Sequence, residues 1–205
     1  MRPKSIVLAS VTILLMAFAP GVAAPAASPT SLSAPAAAYT IYPNHTHVAF
    51  GIRHMGLSTF HGTFGHITGS LQFDPAQPEK SALNVQIDMN NIQTTVDELN
   101  TTLKDVFQTI KYPTATFVST QIAKVGANTG TVTGNLTLAG VTKPVTLNVT
   151  FNGGRNIPIP FQRYRIGFDA TGTIKRSDFG LTGMIWSGFV SDEVTLMIDC
   201  EMEKK

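Results

Sequence analysis

Apolar and polar residues alternate with a period of two along most of the chain beyond Tyr39. Val48, Phe50 and Ile52 fall on one face of an extended segment while His47, Ala49 and Arg53 fall on the other, as in a strand buried on one side only. The alternation returns at Leu83, Val85, Ile87 and Met89, then at Val132, Leu136 and Leu138. It continues at Val145, Leu147, Val149 and Phe151, at Tyr164, Ile166, Phe168 and Ala170, and at Val194, Leu196, Ile198 and Cys200. Turn-forming stretches (DPAQPEK, VGANTGT, LAGVTKP and NGGRNIPIP) separate these runs, so the pattern predicts an antiparallel meander.

One segment follows a different period. Val96, Leu99, Leu103, Val106, Phe107 and Ile110 are spaced by threes and fours behind Thr95 and Glu98, which have the spacing of a capping box. This predicts a helix of about three to four turns, ended at Tyr112 and Pro113 because the residue before proline is pushed out of helical geometry. Seven or eight strands, one helix and no long parallel crossover point to an all-β fold in which an antiparallel sheet of about eight strands closes into a barrel, removing its exposed edges. Such a barrel has an interior wide enough for one small ligand. Its inward face takes in Val48, Phe50, Ile52, Leu136, Leu138, Val145, Leu147, Phe168 and Ile174; periodicity leaves open whether they fill the interior or line a void. Gly51, Gly62, Gly65, Gly69, Gly167 and Gly172 interrupt strand patterns, where glycine marks the bends and bulges that turn barrel corners.

The N-terminal part does not belong to this pattern. Arg2 and Lys4 precede an apolar run from Ile6 to Ala19, then Pro20, Gly21 and small residues, the layout of a secretory signal peptide over residues 1–24. Residues 25–38 are almost all Ala, Pro, Ser and Thr and are expected to form a disordered leader, because too little apolar surface is present to offset ordering. The folded domain is then 39–205, and the protein is expected in the periplasm or outside the cell. The formal charge of +2 comes from Arg2 and Lys4, so the remainder carries 13 basic and 13 acidic side chains. A neutral surface argues against nucleic acid as a partner. Cys200 is the single cysteine, so no internal disulfide forms and stability rests on the core and the sheet.

The segment YTIYPNHTHVAFGIRHMGLSTFHGTFGHITGSLQFDP resembles the opening of the YceI-like family, with a histidine before the first strand, an RHMG-like turn, then G-x-F and a closing G-x-L. KYPTATFVST, GNLTLAGVTKPVTLNVTF, ATGTIKRSDFGLTG and SDEVTLMIDCEM resemble later blocks of the same family, in the same order, so the resemblance spans Tyr39 to Lys205. It implies a lipocalin-like barrel with an amphipathic helix, exported, often dimeric, and enclosing a long apolar lipid such as a polyisoprenoid, an isoprenoid quinone, or a fatty amide or acid. Tyr42 stands where the family commonly has aspartate, and LNTTLKDVFQTIKYP departs from its helix signature.

The candidate chemistry is sparse. All five histidines fall between His45 and His66; His45 and His47 are two apart, about 7 Å along a strand, a spacing able to chelate zinc. A third ligand would have to come from His61 or His66, which take opposite faces of a regular strand, and no Asp or Glu lies within the stretch, so no metal site is assigned. His54 shares parity with Phe50 and Ile52 and is a candidate for a polar headgroup at the barrel mouth, or a hydrogen-bonded structural residue; Arg53 beside it reads as an outward charge. Within RSDFGL, Arg176 and Asp178 are expected to satisfy backbone groups while Phe179 plugs the barrel. Trp186, in a loop between Gly183 and Gly188, is a candidate cavity gate or membrane contact, with simple packing as the alternative. No nucleophile elbow or phosphate loop is found, so no enzyme and no cofactor are expected. Two other functions fit this composition: an interaction barrel with a filled core, and a metal-handling protein using the histidine cluster.

Overall fold

The computed structural model describes residues 33–158, 160, 162–183 and 188–205. The strands are β1 (Ala37–Ile41), β2 (His47–His54), β3 (Ser58–Phe64), β4 (Ile67–Phe73), β5 (Ala82–Asp88), β6 (Ile92–Thr94), β7 (Thr114–Lys124), β8 (Thr129–Leu138), β9 (Val141–Ile157), β10 (Arg163–Lys175) and β11 (Val190–Lys204), with helix α1 (Asp97–Val106) between β6 and β7. Every pairing is antiparallel, in the order β1–β4–β5–β7–β8–β9–β10–β11, and β11 returns to β1. This is a closed eight-stranded barrel. β2, β3 and β6 continue β1, β4 and β5 beyond one break in each, so three neighbouring staves are interrupted side by side.

The breaks are bonded to one another and to the next stave. Gly65 N–H donates to the Asn91 carbonyl at 3.3 Å. Thr46 donates through Oγ1 to the Glu201 carbonyl at 3.2 Å and accepts from Glu201 N–H at 3.1 Å. Backbone groups that leave the ladder are thereby satisfied, as burial requires.

The helix differs from its predicted form. It spans ten residues, with Val96 at its N-cap and no side-chain cap, so the Thr95–Glu98 box does not form. Asn100 Oδ1 instead accepts from Thr94 N–H and Thr94 Oγ1, both at 2.8 Å, which ties the first turn back to β6. Gln108, at φ +52°, ends the helix before Tyr112 and Pro113 are reached.

The glycines divide into two roles. Gly167 lies at the β9–β10 register shift, and Gly65 at the β3–β4 break, as bends should. Gly51, Gly62, Gly69 and Gly172 are close-approach positions: a Cβ at any of them would come within 3 Å of a neighbouring strand. Their bareness serves packing more than bending.

The packed unit begins ahead of Tyr39. β1 starts at Ala37 and Ala34 packs on the core. Two phenols at this end of the barrel, the enclosed Tyr39 and the half-buried Tyr164, find acceptors in this segment: Tyr39 donates to the Pro35 carbonyl at 2.8 Å, Tyr164 to that of Ser33 at 3.0 Å.

Candidate ligand cavity

The two ends of the barrel are filled differently. On the helix side, Phe50, Phe64 and Phe107 form a contiguous aromatic set, one pair tilted and the other edge-to-face, with centroids 5.6 and 5.9 Å apart, joined by Met89, Ile92 and Leu103. At the other end Tyr39, Ile166 and Met202 are almost wholly buried beneath residues 33–36. Beside them Phe73, Phe151 and Phe168 meet as a triad, with centroids 5.2–5.6 Å apart.

Between these plugs lies an apolar cavity of about 260 Å³. It opens between the β4–β5 loop, through Pro75, Pro78 and Ser81, and the β7–β8 hairpin, through Lys124, Ala127 and Asn128. The inward residues around it are not packed out. Leu83, Val85, Ile87, Val149, Leu196 and Ile198 all point inward yet are only half-buried, because they border the cavity. Asn128 fixes one side of the mouth: its carbonyl accepts from Phe151 N–H at 2.7 Å and its side-chain amide donates to the Phe151 carbonyl at 3.3 Å.

Polar chemistry inside is slight. The buried Thr46 hydroxyl is occupied by Glu201 backbone groups. Cys200 also faces the cavity, and burial pushes its thiol up to about 11, which keeps it protonated. Burial likewise raises the Tyr39 phenol to about 12.

Of the residues singled out from the sequence, Val48, Leu136, Val145, Leu147 and Phe168 lie on the cavity wall. Phe50 belongs to the helix-side plug, and Leu138 is buried without reaching the cavity. Ile52 and Ile174 are half-buried off the wall, and Phe179 is buried in the short helical turn Arg176–Phe179. His54 is exposed: the chain reverses over Met55 and Gly56, both at positive φ, with Leu57 N–H on the His54 carbonyl at 2.9 Å, so the residue sits on a hairpin corner and not at the mouth. Trp186 lies outside the described residues. Arg53 hydrogen-bonds the Gly56 carbonyl and Thr59 Oγ1. Arg176 reaches the carbonyls of Leu181 and Ser191, while Asp192, not Asp178, receives Ser177 N–H and Oγ.

Wall residues absent from that set, among them Leu71, Phe73, Phe117, Val132 and Phe151 and the half-buried six above, carry the same period-two signal. Alternation assigned many of them to strand faces but gave no height along the barrel axis. The histidines do not converge. His45, in a short helical turn, meets Glu201 at 3.0 Å, and His47 on β2 meets Asp199 at 3.0 Å, both on the outer surface. Among the described residues no three His, Cys, Asp or Glu side chains are placed to hold a metal ion.

Comparison with known proteins gives a consistent result. The family model of the YceI-like domain matches residues 39–202. A UPF0312 protein of Pseudomonas savastanoi pv. phaseolicola is 43% identical over 142 residues, covering 68% of this chain and 72% of its own. Among solved structures, Burkholderia cenocepacia BcnA superposes with a TM-score of 0.70 at 27% identity, over 78% of this chain and 98% of that one. A polyisoprenoid binding domain from Saccharophagus degradans superposes with a TM-score of 0.62 over 82% and 98%; at 20% identity this likeness is one of fold.

Proposed function

The chain belongs to the YceI-like family, and from that premise we propose that it is a non-enzymatic carrier or sequestering protein that holds a long-chain apolar lipid inside its barrel. One observation carries the reading: inward-facing aliphatic residues on several staves are only partly buried and border an apolar cavity of about 260 Å³. A barrel evolved only to present its outside would gain stability by filling that space with larger side chains. Burying about 500 Å² of hydrocarbon at about 25 cal/mol/Å² is worth on the order of 12 kcal/mol before the costs of association, enough for capture without an elaborate polar site.

The occupant is of the polyisoprenoid, isoprenoid quinone or fatty amide or acid type. The apolar run Ile6–Ala19 behind Arg2 and Lys4 supports export by a signal peptide and a periplasmic or secreted site of action. Native mass spectrometry of gently purified protein tests the proposal. A co-purifying lipid, or stoichiometric uptake of an added one, is the expected result; a spectrum of bare protein that takes up no lipid refutes it.

A further inference from the structure

Antiparallel order gathers four parts of the chain at the end of the barrel where the cavity opens: the β4–β5 loop, the β7–β8 hairpin, the pairing of Ile157 with Arg163, and the close of β11. Each brings exposed bases. Lys80 lies on the loop, Lys124 at the hairpin, Arg155 and Arg163 where β9 and β10 meet, and Lys204 and Lys205 at the close of β11. Register places the last two near the mouth. Lys204 pairs with Tyr39 and the Lys205 N–H donates to the Ala38 carbonyl at 3.0 Å, while the other edge of β1 pairs with β4, whose last residue Phe73 leads into the mouth loop. Their backbone is two strand spacings, about 10 Å, from the start of that loop.

The acids at this end do not balance these bases. Glu203 is held by Arg163 at 3.6 Å and by Arg165 at 3.3 Å. Asp74, Glu79 and the carboxylate of Lys205 remain, and among the described residues none of them forms an ion pair with Lys80, Lys124, Lys204 or Lys205. At the helix end, by contrast, Asp97, Glu98, Asp105, Asp178, Asp192 and Glu193 offset Lys104, Lys111, Lys143, Lys175 and Arg176. A folded domain without net charge therefore turns a positive end toward whatever meets its mouth.

That end is also apolar at its tip. Val125, next to Lys124, is 73% exposed, and the hairpin from Val125 to Asn128 carries no charge. Pro75 and Pro78 border the mouth on the facing loop. Exposed apolar side chains among lysines, whose stems lie along hydrocarbon while their ammonium groups stay in water, are the chemistry of contact with a bilayer surface. An acidic protein would match the charge equally well, but it would give a water-insoluble cargo no apolar phase to come from.

We propose that the mouth end docks on an anionic lipid bilayer, its lysines against the headgroup phosphates and Val125 at the headgroup boundary, so that cargo passes between membrane and barrel without crossing water. The inference rests on the lipid-carrier reading and adds the surface at which loading takes place. Each lysine close to an anionic surface strengthens binding about fivefold, an effect that salt screens.

Flotation of the full-length mature protein with vesicles tests this, using phosphatidylcholine alone or mixed with phosphatidylglycerol. Binding is expected to the mixed vesicles only, and is lost at high salt. Lys80→Gln combined with Lys124→Gln should weaken it about tenfold or more, and Val125→Asp at least about fivefold. Lys143→Gln combined with Lys175→Gln, which removes the same charge from the helix end, should leave it unchanged. Absence of binding, binding that does not need phosphatidylglycerol, or an equal loss from the helix-end pair overturns the inference. So does retention on immobilised polyglutamate by a protein that ignores the vesicles, the result an acidic protein partner would give. Uptake of a neutral dye, N-phenylnaphthylamine, by the same preparation without vesicles tests the carrier reading separately. Dye uptake without docking overturns the inference and leaves that reading standing; docking without uptake of dye or lipid supports the surface and refutes the carriage.

Discussion

Gly134 on β8 leaves room for the ring of Phe117 on β7: a Cβ at position 134 would lie 2.5 Å from Phe117 Cζ and 2.6 Å from the Val118 carbonyl oxygen. Because Phe117 is part of the cavity wall, this contact couples strand packing to cavity shape. Gly134→Ala should cost about 1–3 kcal/mol, since one obstacle is rigid backbone, and should push the ring inward. Urea unfolding would measure the first effect and dye uptake the second; an unchanged midpoint with unchanged uptake would contradict the geometry.

Val132 faces the cavity from the same strand. Val132→Phe adds bulk where space already exists, so stability should change by less than about 1 kcal/mol while lipid uptake falls at least about tenfold. Thermal unfolding and lipid titration on one preparation separate the two. Loss of folding instead would mean that the space is smaller than it looks.

Cys200 offers a reporter inside the cavity. With its thiol raised to about 11 by burial, the reactive thiolate is scarce near neutrality, and alkylation by iodoacetamide at mildly alkaline pH should run about a hundredfold slower than for a free thiol. Bound lipid should slow it further. Rates measured by intact-mass spectrometry with and without hexadecanoate would show both effects.

Tyr39 predicts an alkaline limit to stability. Its phenol ionises near the ordinary value of 10.0 in the unfolded chain but only at about 12 in the barrel. Below about pH 10 both states are neutral and its contribution is fully present; above that the unfolded state ionises first, so stability falls by at most about 1.4 kcal/mol per pH unit until about 12. Urea midpoints should be flat up to the lower value and then decline. Tyr39→Phe should be weaker throughout by about 1 kcal/mol, for loss of the bond to Pro35, and should lack most of that decline.

Architecture was the most legible level of the sequence, because each inward run such as Val145, Leu147 and Val149 repeats a local rule at every step. Which of those residues meets the ligand was less legible. Phe50 and Val48 have the same parity and neighbouring places on β2, yet one belongs to the helix-side plug and the other to the cavity wall. The difference is set by Phe64 and Phe107, far away in sequence. His54 shows the same limit from the other side: its parity matched Phe50, but the positive φ of Met55 and Gly56 turns the chain before parity matters. The helix start differs from the expected capping box because Asn100 reaches back to Thr94 and no side chain caps the first turn, a contact that depends on where β6 has been placed. Lys124 had no pattern to mark it; only closure of the barrel puts this hairpin lysine above a greasy interior.

The pair of hydrogen bonds between Asn128 and Phe151 makes the entrance lopsided. One jamb is bolted to the wall, so widening the doorway has to come from the opposite jamb, the proline-flanked loop from Asp74 to Ser81. On the carrier reading proposed above, traffic into and out of the barrel would then depend on how readily that one loop yields, and the speed of loading could be tuned there without altering how tightly the cargo is held.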